Sequence, residues 1–165
     1  MKEKTLENLK AAFAGESQAN RKYLAFAKKA DEEGYRQAAK LFRAAAEAET
    51  VHALKHLAVM GGIKSTKDNI DAAINGETYE FTKMYPEMIK QAEAEGEKDA
   101  RMSFWNANKV EEIHAALFKN ALANLSNLKE EDIRVCPVCG NTFVGAAPDK
   151  CPVCATLRAK FTLIK

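Results

Sequence analysis

Glu49-Thr50-Val51-His52 and Glu111-Glu112-Ile113-His114 decide the fold, because they are one motif occurring twice, 62 residues apart. At the same offset Tyr23 meets Tyr85, Glu33-Gly34 meets Glu95-Gly96, Phe42 meets Phe104 and Ala45 meets Ala107. Alanine matches arise readily in alanine-rich chains. Matched glutamate, histidine, glycine and aromatic positions do not. Around the repeat, from Leu6 to about Asn124, the chain is rich in Ala, Glu, Lys, Leu and Gln and poor in Pro, a helix-forming composition. Gly34, Gly61-Gly62 and Gly96 fall where helices end. Four helical segments are predicted, at about 4–33, 36–60, 67–95 and 98–124. Gly76 weakens the third and Pro86 is expected to kink it, since proline lacks an N–H and clashes with the preceding turn. The repeat then reads as two helical hairpins packed as a four-helix bundle. The link from Met60 to Lys67 is short for a crossover along such a bundle.

Glu and His three residues apart project from one helix face. Both pairs lie 15 residues after their hairpin glycine, so both stand at one height. The other arms carry carboxylates at matching distances: Glu16 lies 18 residues before Gly34, and Glu77 and Glu80 lie 19 and 16 before Gly96. Seven side chains can thus meet at one level. Two iron or manganese ions need hard oxygen donors to balance their charge, with imidazole completing each metal. A Glu from each of two helices plus Glu-x-x-His from the other two is the di-iron carboxylate pattern of ferritin-like bundles. Glu49 and Glu111 are expected to bridge the metals, with His52 and His114 terminal. The first helix supplies one carboxylate and the third supplies two, which suggests a coordination sphere that changes with redox state. Tyr23 and Tyr85 lie one to two turns beyond the carboxylates, placed to donate hydrogen bonds to ligating oxygens. His56 falls outside the pattern and reads as a supporting or surface residue.

The composition changes near residue 134. Residues 1–133 carry 20 Lys/Arg and 22 Asp/Glu, whereas residues 134–165 carry 5 and 1 together with all four cysteines. Cys136-Pro-Val-Cys139 and Cys151-Pro-Val-Cys154, separated by eleven residues, form a tetrahedral thiolate cage for zinc or a single iron. The segment is too small for a substantial core and needs a metal staple. A bundle that turns over electrons needs a supply, which favours iron. The domain plan is a di-iron four-helix bundle at 1–124, a polar linker at 125–133 and a four-cysteine domain at 134–165. A net charge of +2 leaves no footprint for nucleic acid. No apolar run approaches membrane-span length, and the N-terminus has no signal-peptide pattern. The cytoplasm is the expected compartment.

Gly15-Glu16-Ser17-Gln18, Glu49 to His52, Gly76-Glu77-Thr78-Tyr79-Glu80, Met84-Tyr85-Pro86-Glu87, Glu111 to His114 and the two knuckles resemble the rubrerythrin family over essentially the whole chain. The resemblance implies a ferritin-like four-helix bundle followed by a rubredoxin-like domain. It implies a non-haem di-iron peroxidase that reduces hydrogen peroxide to water. Electrons would enter through the four-cysteine iron from a protein donor, rubredoxin or an NAD(P)H-dependent reductase. It also implies that one iron exchanges Glu80 for His52 on reduction. Ala155 stands where such a knuckle commonly has Gly, and Gly tolerates positive φ. Rival readings are a ferroxidase or iron-handling protein of ferritin type, for which dedicated electron entry is superfluous, and a zinc-stapled interaction module, which leaves the carboxylate register unexplained. A homodimer or dimer-based oligomer is expected. The fourth helix runs on roughly 15–20 Å past its ligands, and the linker spans at most about 30 Å. A chain's own thiolate iron is therefore expected to be poorly placed for its own ligands unless the linker folds back fully, with a head-to-tail partner supplying electrons in trans.

Overall fold

A computed structural model describes all of residues 1–165. The chain is mainly α and divides into two compact units, residues 1–64 and residues 65–165. No helix is long and apolar enough to cross a membrane.

The first unit is a hairpin of α1 (Glu3–Glu32) and α2 (Arg36–Val59). Its seam is built from small residues. Ala39, Ala46 and Ala53, seven apart, face Ala27 and Ala30, and all five are buried. Short side chains let the backbones approach, and Asn20 fills the contact with hydrogen bonds rather than bulk. Its Nδ2 donates to the Ala46 carbonyl and to Thr50 Oγ1, both at 2.7 Å. Gly34 closes the turn at φ +84°, with Tyr35 N donating to Ala30 O, a helix-terminating pattern that needs a left-handed residue.

The second unit begins with Ser65 capping α3 (Thr66–Tyr79): its Oγ accepts from Asp68 N at 3.2 Å and donates to Asp68 Oδ2 at 2.7 Å, a capping arrangement that satisfies an orphan N–H. A π-helical turn, Glu80–Met84, follows, then α4 (Tyr85–Glu95), and α5 (Lys98–Ala123) packs back along both helices. The break expected at Pro86 takes this form. The wider turn comes first, and Pro86 sits in the opening positions of α4, where a missing N–H costs little.

The two hairpins repeat each other in detail. Glu97 N donates to Ala92 O as Tyr35 N does to Ala30 O, and Lys98 N donates to Gly96 O as Arg36 N does to Gly34 O. Tyr85 and Phe104 lie 6.3 Å apart at 36°, against 6.2 Å and 35° for Tyr23 and Phe42. All these pairs keep the 62-residue offset. Gly15-Glu16-Ser17 and Gly76-Glu77-Thr78 are offset by 61. The second hairpin therefore holds one extra residue between its carboxylate and its tyrosine. The π turn lies in that interval and absorbs the extra residue, because a π turn takes up one more residue than an α turn.

After a 3₁₀ turn at Leu125–Asn127 the chain forms an antiparallel sheet of β1 (Ile133–Val135), β2 (Thr142–Val144) and β3 (Thr162–Ile164), in the order β2-β1-β3. Phe143 stacks on Phe161 at 4.8 Å, and the two knuckles project from this small framework.

Candidate metal centres

Donor atoms gather at three places, each with all its ligand atoms within 4.8 Å of one another. In the first unit Glu16, Glu49 and His52 converge: His52 Nδ1 lies 3.0 Å from Glu49 Oε2 and 4.0 Å from Glu16 Oε1. In the second unit Glu77, Glu111 and His114 converge in the same pattern, with His114 Nδ1 at 2.8 Å from Glu111 Oε2 and 3.7 Å from Glu77 Oε2. The helices explain the agreement. The i, i+3 pairs lie on one face of α2 and of α5, and each hairpin brings a carboxylate from its other arm.

The second triad is the more enclosed. The His114 side chain is 26% exposed, against 56% for His52. Glu77 Oε2 is fully buried and makes no hydrogen bond. Burial, followed by the neighbouring Glu111 carboxylate, pushes the Glu77 pKa up to about 7. Glu80 stands outside the tight cluster. Burial raises its pKa, the Glu77 charge raises it further and His114 opposes the shift, so its carboxylate feels both neighbours. Tyr85 is raised by burial and by the Glu111, Glu80 and Glu77 charges. Tyr23 packs between Phe26 and Phe42. His56 is half-buried and outside the triad.

The third place is the thiol cluster. Cys136 and Cys154 Sγ are 3.5 Å apart, as are Cys139 and Cys151 Sγ. A tetrahedral metal with bonds of about 2.3 Å to sulfur needs an edge near 3.8 Å, so the cage is close to its metal-bound size. All four cysteines are free of disulfides. Burial works against the ionisation of Cys136, but hydrogen bonds from the Cys139 and Val138 backbone, then from Cys154, outweigh it and lower its pKa to about 7. Cys151 is lowered in the same way, again against burial, by the Cys154 and Val153 backbone. Gly140 N donates to Cys136 O and Ala155 N to Cys151 O. These tight turns require left-handed residues, and Ala155 adopts φ +60° in the place a glycine would fill without strain.

Three supporting side chains carry no pattern that sequence reasoning detects. Buried Asn141 directs Nδ2 at Cys151 Sγ, 3.7 Å away. Thr156 Oγ1 lies 3.1 Å from Cys154 Sγ. Thr142 Oγ1 lies 2.9 Å from His114 Nε2. That last contact corrects the expectation that the thiolate domain stands far from its own chain's ligands. The linker folds back fully, so that Leu128, Ile133 and Val144 line a cavity of about 480 Å³ together with His114, Leu117 and Phe118. A Cβ on Gly140 would lie 3.9 Å from Val110 Cγ1 on α5.

An orphaned buried carboxylate oxygen flanked by Glu and His, a second triad of the same make, and a sulfur cage of tetrahedral size together define a helical metalloprotein of the di-iron carboxylate class with an appended thiolate metal domain. Residues 7–122 match the family model described as rubrerythrin, and residues 135–162 match the rubrerythrin rubredoxin-like domain. The chain belongs to the rubrerythrin family. It is 37% identical to nigerythrin of Nitratidesulfovibrio vulgaris, over 96% of this chain and 85% of that one. It is 36% identical to a rubrerythrin of Porphyromonas gingivalis, over 98% and 90%. A solved structure of nigerythrin in its fully reduced, all-ferrous state superposes with a TM-score of 0.61 at 37% identity, covering 97% of this chain and 86% of that one. The fold class is that of a ferritin-like four-helix protein followed by a rubredoxin-like domain. The donor sets fit the cofactors expected from the sequence, two non-haem irons with the helical Glu/His residues and one iron with the four thiolates.

Proposed function

We propose that this chain is a non-haem di-iron peroxidase that reduces hydrogen peroxide to water in oxidative-stress defence. The balance is H2O2 + 2e⁻ + 2H⁺ → 2H2O. When bound, the iron pair supplies the two electrons that cleave the O–O bond. Glu49 and Glu111 would be shared between the irons, His52 and His114 would be terminal ligands, and Glu16 and Glu77 would complete each metal. Glu80 would ligate in one redox state and yield to His52 in the other. Tyr23 and Tyr85 orient the carboxylates. Cys136, Cys139, Cys151 and Cys154 hold the iron through which electrons enter from a rubredoxin or an NAD(P)H-dependent reductase. The protein works in the cytoplasm as a homodimer or dimer-based oligomer.

The observation that carries this reading is the pairing, on one chain, of carboxylate–imidazole triads with a thiolate cage of tetrahedral size. Storage or oxidation of iron needs no such electron entry. The test is anaerobic iron loading followed by reduction and mixing with stoichiometric peroxide. About three irons per chain and rapid oxidation by peroxide, faster than by dioxygen, are expected. A protein that retains only one thiolate-bound zinc after reconstitution, or that mineralises iron and leaves peroxide intact, overturns the reading.

A further inference from the structure

His114 uses both ring nitrogens. Nδ1 faces Glu111 Oε2 and Glu77 Oε2, and Nε2 lies 2.9 Å from Thr142 Oγ1. Thr142 Oγ1 in turn lies 3.3 Å from the Gly140 carbonyl oxygen, which belongs to the residue following Cys139. A nitrogen that ligates a metal must offer its lone pair, so ligation through Nδ1 puts the ring proton on Nε2. Nε2–H then donates to Thr142 Oγ1, whose own O–H donates to Gly140 O. Every donor in this chain meets an acceptor. The equivalent His52 has only the Nδ1 contacts of its own triad.

Resting on the peroxidase reading above, we propose that Thr142 is a positioning residue with two roles: its hydroxyl fixes His114 in the Nδ1-ligating tautomer, and it forms the hydrogen-bonded link from the Cys139 knuckle to the helical metal site of the same chain. Each member of the link is held by its own element. Thr142 is held in β2 opposite Val135, Gly140 is tied to Cys136, and His114 is set by α5. With iron in both sites, the link would carry one electron from the thiolate iron, which would go from ferrous to ferric, to the helical site, and the external protein donor would return the thiolate iron to the ferrous state. The hydroxyl itself is neither oxidised nor consumed.

Thr142→Val and Thr142→Ser separate these roles from simple packing. Valine keeps the branched shape that suits a strand and loses the hydroxyl; serine keeps the hydroxyl. Two measurements are made on the full chain. The first uses zinc-loaded, redox-inactive protein and reads the His114 Nε2–H hydrogen bond from imidazole proton and nitrogen chemical shifts. Wild type and Thr142→Ser should show a hydrogen-bonded Nε2–H, and Thr142→Val should lose that signature. The second uses fully reduced iron protein mixed with peroxide, following the visible absorbance of the oxidised thiolate iron. Thr142→Val should slow that phase by about tenfold or more, as loss of a ligand's outer partner typically does, and Thr142→Ser should stay within about twofold of wild type. An unchanged Nε2–H hydrogen-bond signature in Thr142→Val overturns the positioning role. A wild-type thiolate phase in Thr142→Val, or a Thr142→Ser variant as slow as Thr142→Val, overturns the link. If no variant reacts with peroxide, the peroxidase reading fails, and the zinc-protein measurement still decides the role of Thr142.

Discussion

The two hairpins carry the same three donors in the same register, yet they are not equivalent. In the first, His52 is more than half exposed and one carboxylate arm, Glu16, serves the site. In the second, His114 is enclosed, hydrogen-bonded at its far nitrogen, and accompanied by two carboxylates and a π turn. Ligand identity is thus set by the repeat, whereas the surroundings of each ligand differ between the copies. The first half is simple and open. The second carries the contact with the four-cysteine domain and the additional carboxylate, Glu80.

The largest expected effects test whether both halves are needed. Glu49→Ala and Glu111→Ala each remove a proposed bridge. Each should abolish two-metal binding and lower peroxide turnover by more than about 100-fold, beyond the range typical of an outer partner. Retained metal content in either variant would break the symmetry of the ligand assignment. His114→Ala should cost about tenfold more turnover with the protein reductase than His52→Ala, because it removes a ligand and the Thr142 contact together. Equal losses would mean that the two histidines differ only in exposure.

A mixed oligomer sharpens the contrast. One chain carries Glu111→Ala and His114→Ala, and the other carries Cys136→Ser and Cys139→Ser. The contact between His114 and Thr142 lies within one chain, so verified hetero-oligomers should stay inactive with the protein reductase. Activity that reappears on subunit exchange would show that electrons cross between chains.

A smaller effect is expected from Glu80→Ala. Both metals should remain in the reduced protein, and reoxidation by peroxide should slow several-fold, or by roughly 1 kcal/mol of barrier. Identical kinetics and spectra in both redox states would reduce Glu80 to an ordinary partly buried carboxylate.

The smallest change concerns the thiolate domain. Ala155→Gly relieves a left-handed alanine at an exposed position and should raise the stability of the metal-bound domain by up to about 1 kcal/mol. Thermal unfolding followed through the thiolate absorbance would detect it. A lower melting temperature would show that unfolded-chain entropy outweighs the strain.

Much of this was legible before folding because it depends on local periodicity. Glu-x-x-His faces, hairpin glycines and cysteine knuckles are set by residues a few positions apart, and the 62-residue repeat fixes their heights. The π turn was half legible. Pro86 announced a disturbance, and its cause was present as the change of offset from 61 to 62 between Glu77 and Tyr85. The position of the thiolate domain was not legible, since a nine-residue linker permits many placements and packing against α5 selects one. Thr142 was hidden for the same reason: a threonine in a strand is unremarkable until a histidine 28 residues away arrives beside it.

The π turn also stores length. An α-helix advances about 1.5 Å and turns about 100° per residue, so a single surplus residue kept as a local widening leaves both ends of the helix where the first hairpin has them. If the widening moved one position along the chain, the residue it passed would swing about 100° around the axis. Gly76, Pro86 and the hairpin turn would stay in place. Glu80 is the first residue of that widening, so such a slide would re-aim side chains at the turn with no hinge and no movement of either helix end.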